Sequence, residues 1–161
     1  MTVGSLGIEA MFRIRAPLPW VYDDGGRRKA GYKGATGDCV CRAIAIATRR
    51  PYDEVYALIN EAAKHERPGA KRRKGKRSHA REGVFKRTSH RVMRSLGWEW
   101  VPTMRIGSGC TVHLAVGELP MGRLVCTVSK HEVAVVDGVV HDTGDPTRDG
   151  TRCVYGYWRA P

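Results

Sequence analysis

The chain has 161 residues, 42% of them hydrophobic, and a formal net charge of +12, which suits one domain with a single core. No apolar run approaches the roughly 20 residues of a membrane helix, and the N-terminus lacks the pattern of a secretory signal. We therefore expect a cytoplasmic protein without membrane association. Its five cysteines are then expected to be reduced thiols.

The positive charge is concentrated in one segment. Residues 71–91 contain ten Lys or Arg and one Glu, a charge of +9, so the rest of the chain carries only +3. A charged run without hydrophobic periodicity is typical of a solvated loop, and we interpret 67–87 as a basic, mobile insert within a single domain that spans 1–161. The alternative is contact with phosphates of a nucleic acid, or with another acidic partner. The candidate contacts are Lys71, Arg72, Arg73, Lys74, Lys76 and Arg77.

The first half of the chain is predicted to be mainly helical. Two short strands, at 12–14 and 20–22, precede a Gly-rich stretch at 31–37. Asp38 is a good N-cap residue, and the ten residues after it are apolar nearly all round, as in a buried helix. Together with apolar positions at helical spacing further along, these signals predict helices at 39–48, 51–65 and 88–96.

The second half is predicted to be mainly β-structure. A short helix is expected at 111–116, directly after a Gly-rich turn. Runs of β-branched and aromatic residues predict strands at 98–104, 123–129, 132–136, 139–143 and 151–158. This order indicates an α+β fold in which N-terminal helices pack on a C-terminal antiparallel sheet.

The strongest local signal is a hairpin that contains two candidate catalytic side chains. Asp137-Gly138 lies between two β-branched runs and predicts a two-residue type I′ turn. Alternation along the strands then places His131 and Asp142 on one face as diagonal neighbours. Asp142 could orient the imidazole and leave its other nitrogen free as a base. The alternative is two polar residues at strand ends, each hydrogen-bonded locally.

Cys39 is the first candidate nucleophile. It lies in the first turn of the predicted central helix, where free N–H groups and the helix dipole stabilise a thiolate. The alternative is a small buried hydrophobic residue. Cys110 competes with it, because it also follows a Gly-rich turn and opens a short predicted helix.

The other cysteines suggest no chemistry of their own. Cys126 and Cys153 fall in predicted strands and are interpreted as packing residues. Cys39 and Cys41 could bind zinc with histidines elsewhere, but no second Cys pair or paired His spacing supports this. We therefore expect no metal and no cofactor.

Three segments, GDCVCRAIAIAT at 37–48, KHEVAVVDGVVHDT at 130–143 and DPTRDGTRCVYGYW at 145–158, resemble an uncharacterised group of phage and bacterial papain-like proteins. That group pairs a (G/N)DC-x-x-RA helix with a later H-x-x-A-V-x-DG-V-x-x-D hairpin, and it is distantly similar to bacteriocin-leader peptidases. The resemblance spans about 22–158. It implies a papain-like fold, a Cys39, His131 and Asp142 triad, and a cysteine peptidase or isopeptidase that acts on a protein or peptide. A phage-encoded form would lie in the host cytoplasm or the virion.

One feature of the family is missing. Papain-like peptidases usually place a Gln a few residues before the nucleophile, where it helps to hold the oxyanion, but this chain contains no Gln. The backbone N–H of Cys39, with Thr36 or Tyr32 as a second donor, could replace it. Loss of one such donor costs enzymes roughly 100- to 1000-fold in rate. The alternative function is therefore a weak or inactive papain-like scaffold, a phage- or virion-associated binding module that contacts nucleic acid through 71–91.

Overall fold

The computed structural model describes residues 15–34, 36–67 and 76–161, and within these ranges the chain is α+β, as predicted. The helices predicted at 39–48, 51–65 and 88–96 are present, with ends within two residues of the prediction. The helices are α1 (Cys39–Thr48), α2 (Tyr52–Lys64) and α3 (Lys86–Ser95). The strands are β1 (Trp20–Tyr22), β2 (Glu99–Pro102), β3 (Arg123–Val128), β4 (His131–Val136), β5 (Val139–Asp142) and β6 (Val154–Arg159). The predicted strand at 12–14 lies outside the described residues. In the ranges that the structure describes, no helix combines the length and apolarity needed to cross a membrane.

The six described strands form one mixed sheet in the order β1-β5-β4-β3-β6-β2. All neighbours are antiparallel except β1, which runs parallel to β5, with Trp20 opposite Val140 and Tyr22 opposite Asp142. The prediction of a purely antiparallel sheet is therefore wrong at this edge. A parallel pair needs a long crossover, and α1, α2 and α3 all lie between β1 and β5 in the chain. No local sequence pattern marks such a distant pairing.

The two faces of the sheet bury separate apolar clusters. On one face α1 packs against β3 and β4, and Ile44 and Ala134 belong to this cluster. On the other face Val133 and Val140 pack with Leu114, which comes from the segment before β3. Because side chains alternate along a strand, β4 contributes to both clusters. Its first residue, His131, lies at the end of the strand, where the packed part of both faces stops.

The segment 111–116, predicted to be a short helix, is extended instead. His113 forms a bridge with Cys153, and Ala115 forms a bridge with Pro17. The N–H of Leu114 donates to the carbonyl of Arg152 at 2.9 Å. A helix of six residues gains little from its own hydrogen bonds, so these pairings with distant segments determine its conformation and the prediction is wrong.

The described part of the basic segment is packed against the domain. Ala80 is fully buried, and its N–H donates to Asn60 Oδ1 on α2 at 2.9 Å. The N–H of Ser78 donates to Glu66 Oε2 at 3.0 Å. The insert predicted at 67–87 therefore packs on the domain at residues 78–80. Buried backbone donors must find acceptors, and here the acceptors come from the end of α2 and the residues after it.

Cys110 and Cys153 form a disulfide between residues 43 positions apart, with a Cα–Cα distance of 5.9 Å. The expectation of five reduced thiols is wrong for this pair, whereas Cys39, Cys41 and Cys126 are free. The bond joins the segment that follows β2 to the residue that precedes β6. It therefore links two stretches that are close only in the folded protein, and the spacing of the cysteines did not predict this pairing.

We expect the double variant Cys110→Ser, Cys153→Ser to lose about 2–4 kcal/mol of unfolding free energy, because opening the loop restores conformational entropy to the unfolded chain. Urea denaturation with and without dithiothreitol measures this loss. Wild type under reducing conditions should match the variant, and the variant itself should not respond to the reductant. Equal stability of oxidised and reduced wild type would contradict the prediction.

Candidate active site

The β4–β5 hairpin has the predicted turn and register. Asp137 and Gly138 both have positive φ, 47° and 77°, as a type I′ turn requires. Val136 lies opposite Val139, and Val135 lies opposite Val140. This register was the premise for the predicted placement of His131 and Asp142, and it is confirmed.

His131 and Asp142 meet at the end of this hairpin. His131 is the first residue of β4 and Asp142 is the last residue of β5. His131 Nε2 and Asp142 Oδ2 are 2.6 Å apart. The Asp142 side chain is buried, with 5% of its surface exposed, so its negative charge is held close to the imidazole and largely shielded from water.

Cys39 lies beside the imidazole, and both residues line the same cleft. It is the first residue of α1 and is partly buried, and its interaction with His131 helps to raise the pKa of the imidazole. Since Asp142 occupies Nε2, Nδ1 is the ring nitrogen left for Cys39. The structure thus brings Cys39, His131 and Asp142 together at one site, although their positions in the sequence span more than 100 residues.

A buried arginine that no sequence pattern singled out, Arg42, binds the second carboxylate oxygen of Asp142. Arg42 Nη1 lies 2.6 Å from Asp142 Oδ1, and Arg42 Nε lies 2.9 Å from Asp38 Oδ1. Asp38 also accepts hydrogen bonds from the Tyr52 hydroxyl (2.8 Å) and from Arg27 Nη1 (3.1 Å). Two signals were available: Arg42 is the lone cation in an apolar helix, and it follows Asp38 by four residues, a spacing that favours ion pairs.

These contacts determine which of the groups carry charge. Burial lowers the pKa of His131, but its hydrogen bonds to Asp142 and Cys39 and the charges of both partners outweigh this effect and raise the pKa to about 9. Burial raises the pKa of Asp142, yet the His131 and Arg42 hydrogen bonds bring it below its ordinary value. At neutral pH the imidazole is therefore a cation beside an ionised carboxylate.

Cys39 and His131 open into a cleft of about 440 Å³. The end of the basic segment forms one wall: Glu82 lines the cleft, and a Cβ added to Gly37 would lie 3.0 Å from the Glu82 carbonyl oxygen. Glu132 also lines the cleft. Burial raises the pKa of Glu132 to about 7, although the hydrogen bond from Ser89 and the charge of His131 both act to lower it. No sequence pattern singled out Glu132, which shares a strand with His131 but points to the opposite face.

The two side chains expected to complete an oxyanion site do not line this cleft. Tyr32 packs on the rings of Tyr52 and Tyr56, with centroids 5.3 and 4.8 Å away, and lines a separate cavity. The Thr36 hydroxyl is buried without a partner among the described residues. Asp38 does precede α1, but its side chain makes no capping hydrogen bond, so it does not occupy the first N–H groups of the helix.

The remaining predicted site residues are not part of this arrangement. Cys110 is bonded to Cys153, and a sulfur in a disulfide is no thiolate, so the alternative nucleophile is wrong in this structure. Lys76 and Arg77 are exposed, whereas 71–74 lie outside the described residues. Across the described ranges, no group of three His, Cys, Asp or Glu side chains is arranged to hold a metal ion.

Comparison of the chain with protein-family models, with curated proteins and with solved structures finds no match. The chemistry of the site is therefore inferred from its side chains and their contacts.

We expect Arg42→Met to lower the free energy of unfolding by about 3–5 kcal/mol, because it leaves the buried carboxylates of Asp38 and Asp142 without their shared cation. Urea denaturation at neutral pH measures the change. The control is Arg50→Met, which removes an exposed ion pair with Glu54 and should cost less than about 1 kcal/mol. A fully stable Arg42→Met protein would show that the bridge does not hold the two carboxylates.

We expect NMR titration to give His131 a pKa of about 9, and Asp142→Asn to lower it toward the ordinary value of about 6.5. Since the folded-state pKa is the higher one, His131 adds stability below about pH 6.5 that is lost as pH rises through about 9. The control is Asp23→Asn, which removes the partner of His141 (2.9 Å) on the opposite face. An unchanged His131 pKa in Asp142→Asn would contradict the assignment of Asp142.

Proposed function

We propose that the protein is a thiol-dependent hydrolase of amide bonds, a cysteine peptidase or isopeptidase, with a papain-like arrangement of its site. The observation that carries the proposal is the convergence of Cys39, His131 and Asp142, with Cys39 beside His131 in one cleft and His131 Nε2 2.6 Å from Asp142 Oδ2. Nucleophile, base and orienting carboxylate are the three roles that acyl transfer by a thiol requires. A cleft of about 440 Å³ gives a substrate access to the first two.

The proposed reaction begins with the Cys39 proton on His131 Nδ1. The Cys39 thiolate attacks the carbonyl carbon of the scissile amide, and the carbonyl π electrons move to oxygen. As the oxyanion collapses, the C–N bond breaks and His131 gives its proton to the leaving amine, which yields a thioester on Cys39. Neutral His131 then takes a proton from water as the water oxygen attacks the thioester carbonyl. The tetrahedral intermediate collapses, the C–S bond breaks, and the carboxylic acid leaves while Cys39 returns as the thiolate beside protonated His131.

The residues behind the imidazole support this cycle by fixing its charge and orientation. Asp142 holds Nε2 and favours the cation that must protonate the amine, while the hydrogen bonds of His131 and Arg42 keep Asp142 ionised. The oxyanion would be met by the backbone N–H groups at the start of α1, which Asp38 leaves uncapped. Donors of this kind, aimed at a developing charge in a site that excludes water, supply much of the rate enhancement of acyl transfer.

A second candidate function is binding without hydrolysis. It is favoured by the placement of Thr36 and Tyr32, because neither lines the cleft and no glutamine is present to serve as a side-chain oxyanion donor. In this case the same cleft would hold a peptide segment of a partner, and Cys39 would not turn it over.

We expect iodoacetamide to alkylate Cys39 first. Burial raises the pKa of Cys41 to about 12 and also raises that of Cys126, and the Cys110–Cys153 pair reacts only after reduction. Peptide mass spectrometry gives the rate at each cysteine. His131→Ala should slow labelling of Cys39, whereas His141→Ala should not, because His141 pairs with Asp23 rather than with a cysteine. The same proteins are then incubated with a proteome-derived peptide library.

Hydrolysis predicts new peptide termini with wild type and none with Cys39→Ala, and a loss of roughly 100-fold or more in His131→Ala. Fast, His131-dependent alkylation without new termini would favour the binding function. If Cys39 reacts no faster than a free cysteine peptide, the thiol–imidazole pair does not operate and the hydrolase proposal fails.

A further inference from the structure

A second cavity, of about 580 Å³, lies beside the cleft. His131 and Lys130 line both, so the two spaces adjoin at the turn between β3 and β4. Its other walls come from the end of β5 and from the loop 143–152, which supplies Arg148 and Arg152. An extended substrate that crosses Cys39 and His131 therefore has this cavity as its next contact on the side of Asp142.

Three cations of the lining have no carboxylate partner among the described residues. Within the described ranges, Lys130, Arg148 and Arg152 form no ion pair. Arg152 Nη2 donates to the Ser129 carbonyl at 2.5 Å, but its Nε is buried and has no partner in the described chain. Burial and the charge of Arg148 both lower the pKa of Arg152. Guanidinium groups that repel each other without a shared anion form an environment that a bound anion would stabilise.

The acidic residues of the lining are already engaged. Asp142 is shared between Arg42 and His131, and Asp145 Oδ1 accepts the N–H of Thr147 at 2.9 Å. His131 itself is cationic at neutral pH. The charge that faces the cavity is therefore positive.

The positions of these cations are fixed by the backbone. Lys130 and Arg148 adopt left-handed conformations, with φ of 54° and 50°, which residues other than glycine rarely adopt. The loop that carries Arg148 continues through Gly150, where a Cβ would lie 2.7 Å from the carbonyl oxygen of Arg15. Strained conformations of this kind persist only where surrounding contacts impose them. The guanidinium of Arg148 therefore extends from a fixed point on the rim of the cavity.

We propose that this cavity binds a carboxylate of the substrate, so that the protein prefers acidic peptides or peptides with a free C-terminus beside the scissile bond. That the bound peptide is a substrate rests on the proposed hydrolase function, but the binding itself does not require hydrolysis. The carboxylate accepts hydrogen bonds from the guanidinium groups of Arg148 and Arg152, with Lys130 adding charge from the adjoining turn. A charge-assisted contact to one guanidinium corresponds to roughly a tenfold or greater change in affinity.

The test measures binding to the Cys39→Ala protein, which cannot form a thioester. Three rhodamine-labelled octapeptides of otherwise identical sequence are compared by fluorescence anisotropy: a Glu-rich peptide with an amidated C-terminus, its amidated Gln counterpart, and the Gln peptide with a free C-terminus. We expect one or both carboxylate-bearing peptides to bind about tenfold more tightly than the amidated Gln peptide, with a preference that shrinks as salt rises. The two arms distinguish a side-chain carboxylate from a terminal one.

Arg148→Gln in the same background should remove most of this preference. Because Gln, like Arg, is not glycine, the strain of the positive φ at position 148 is unchanged. The matched control is Arg105→Gln, which removes the same charge from an exposed position outside the cavity and should keep the preference. Equal affinities of all three peptides, or a preference that survives Arg148→Gln, would overturn the proposal. Peptide-library hydrolysis that favours neither acidic residues nor bonds close to a free C-terminus would also overturn it while leaving the hydrolase intact. Tighter binding of a carboxylate-bearing peptide without hydrolysis would uphold it while the hydrolase fails.

Discussion

The site depends on one buried cation shared by two carboxylates. Arg42 lies on α1, directly below Cys39, and its guanidinium joins Asp38 at the start of that helix to Asp142 at the end of β5. Three buried charges would be unfavourable singly, but here each has partners, and Tyr52 satisfies the remaining oxygen of Asp38. The pair of bridges therefore fixes the helix that carries the nucleophile relative to the hairpin that carries the base.

This bridge resolves a geometric problem set by the sheet. Val133 and Val140 pack on the face opposite α1, and by alternation His131 and Asp142 belong to that same face. Cys39, at the start of α1, can reach them only beyond the ends of the strands, where neither face is closed by packing. Each of the three residues is accordingly the first or last of its element. Contacts at such ends need an additional constraint, and Arg42 supplies it.

Local sequence signals predicted most of the helices and strands, and they predicted the contact between His131 and Asp142. The turn chemistry of Asp137-Gly138 determines the register, and the register places His131 beside Asp142, so this contact followed from residues close in sequence. The partners of Arg42, the parallel pairing of β1 with β5 and the disulfide of Cys110 did not follow. Each joins segments that are distant in sequence, and a single sequence contains no periodicity that reports such a contact. The segment 111–116 shows the same limit, because distant pairings overrode its local preference.

A comparison of two buried carboxylates close to His131, those of Asp142 and Glu132, shows the effect of the Arg42 cation. Asp142 and Glu132 are almost equally buried, at 5% and 7% exposure, yet the pKa of Asp142 is lowered while that of Glu132 is raised to about 7. Burial disfavours the ionised form of both. The difference lies in their partners, since Asp142 accepts from a guanidinium and an imidazole, whereas Glu132 accepts from the Ser89 hydroxyl and keeps one oxygen without a partner in the described chain. Without Arg42, Asp142 would resemble Glu132 more closely and would hold the His131 proton less firmly near neutral pH.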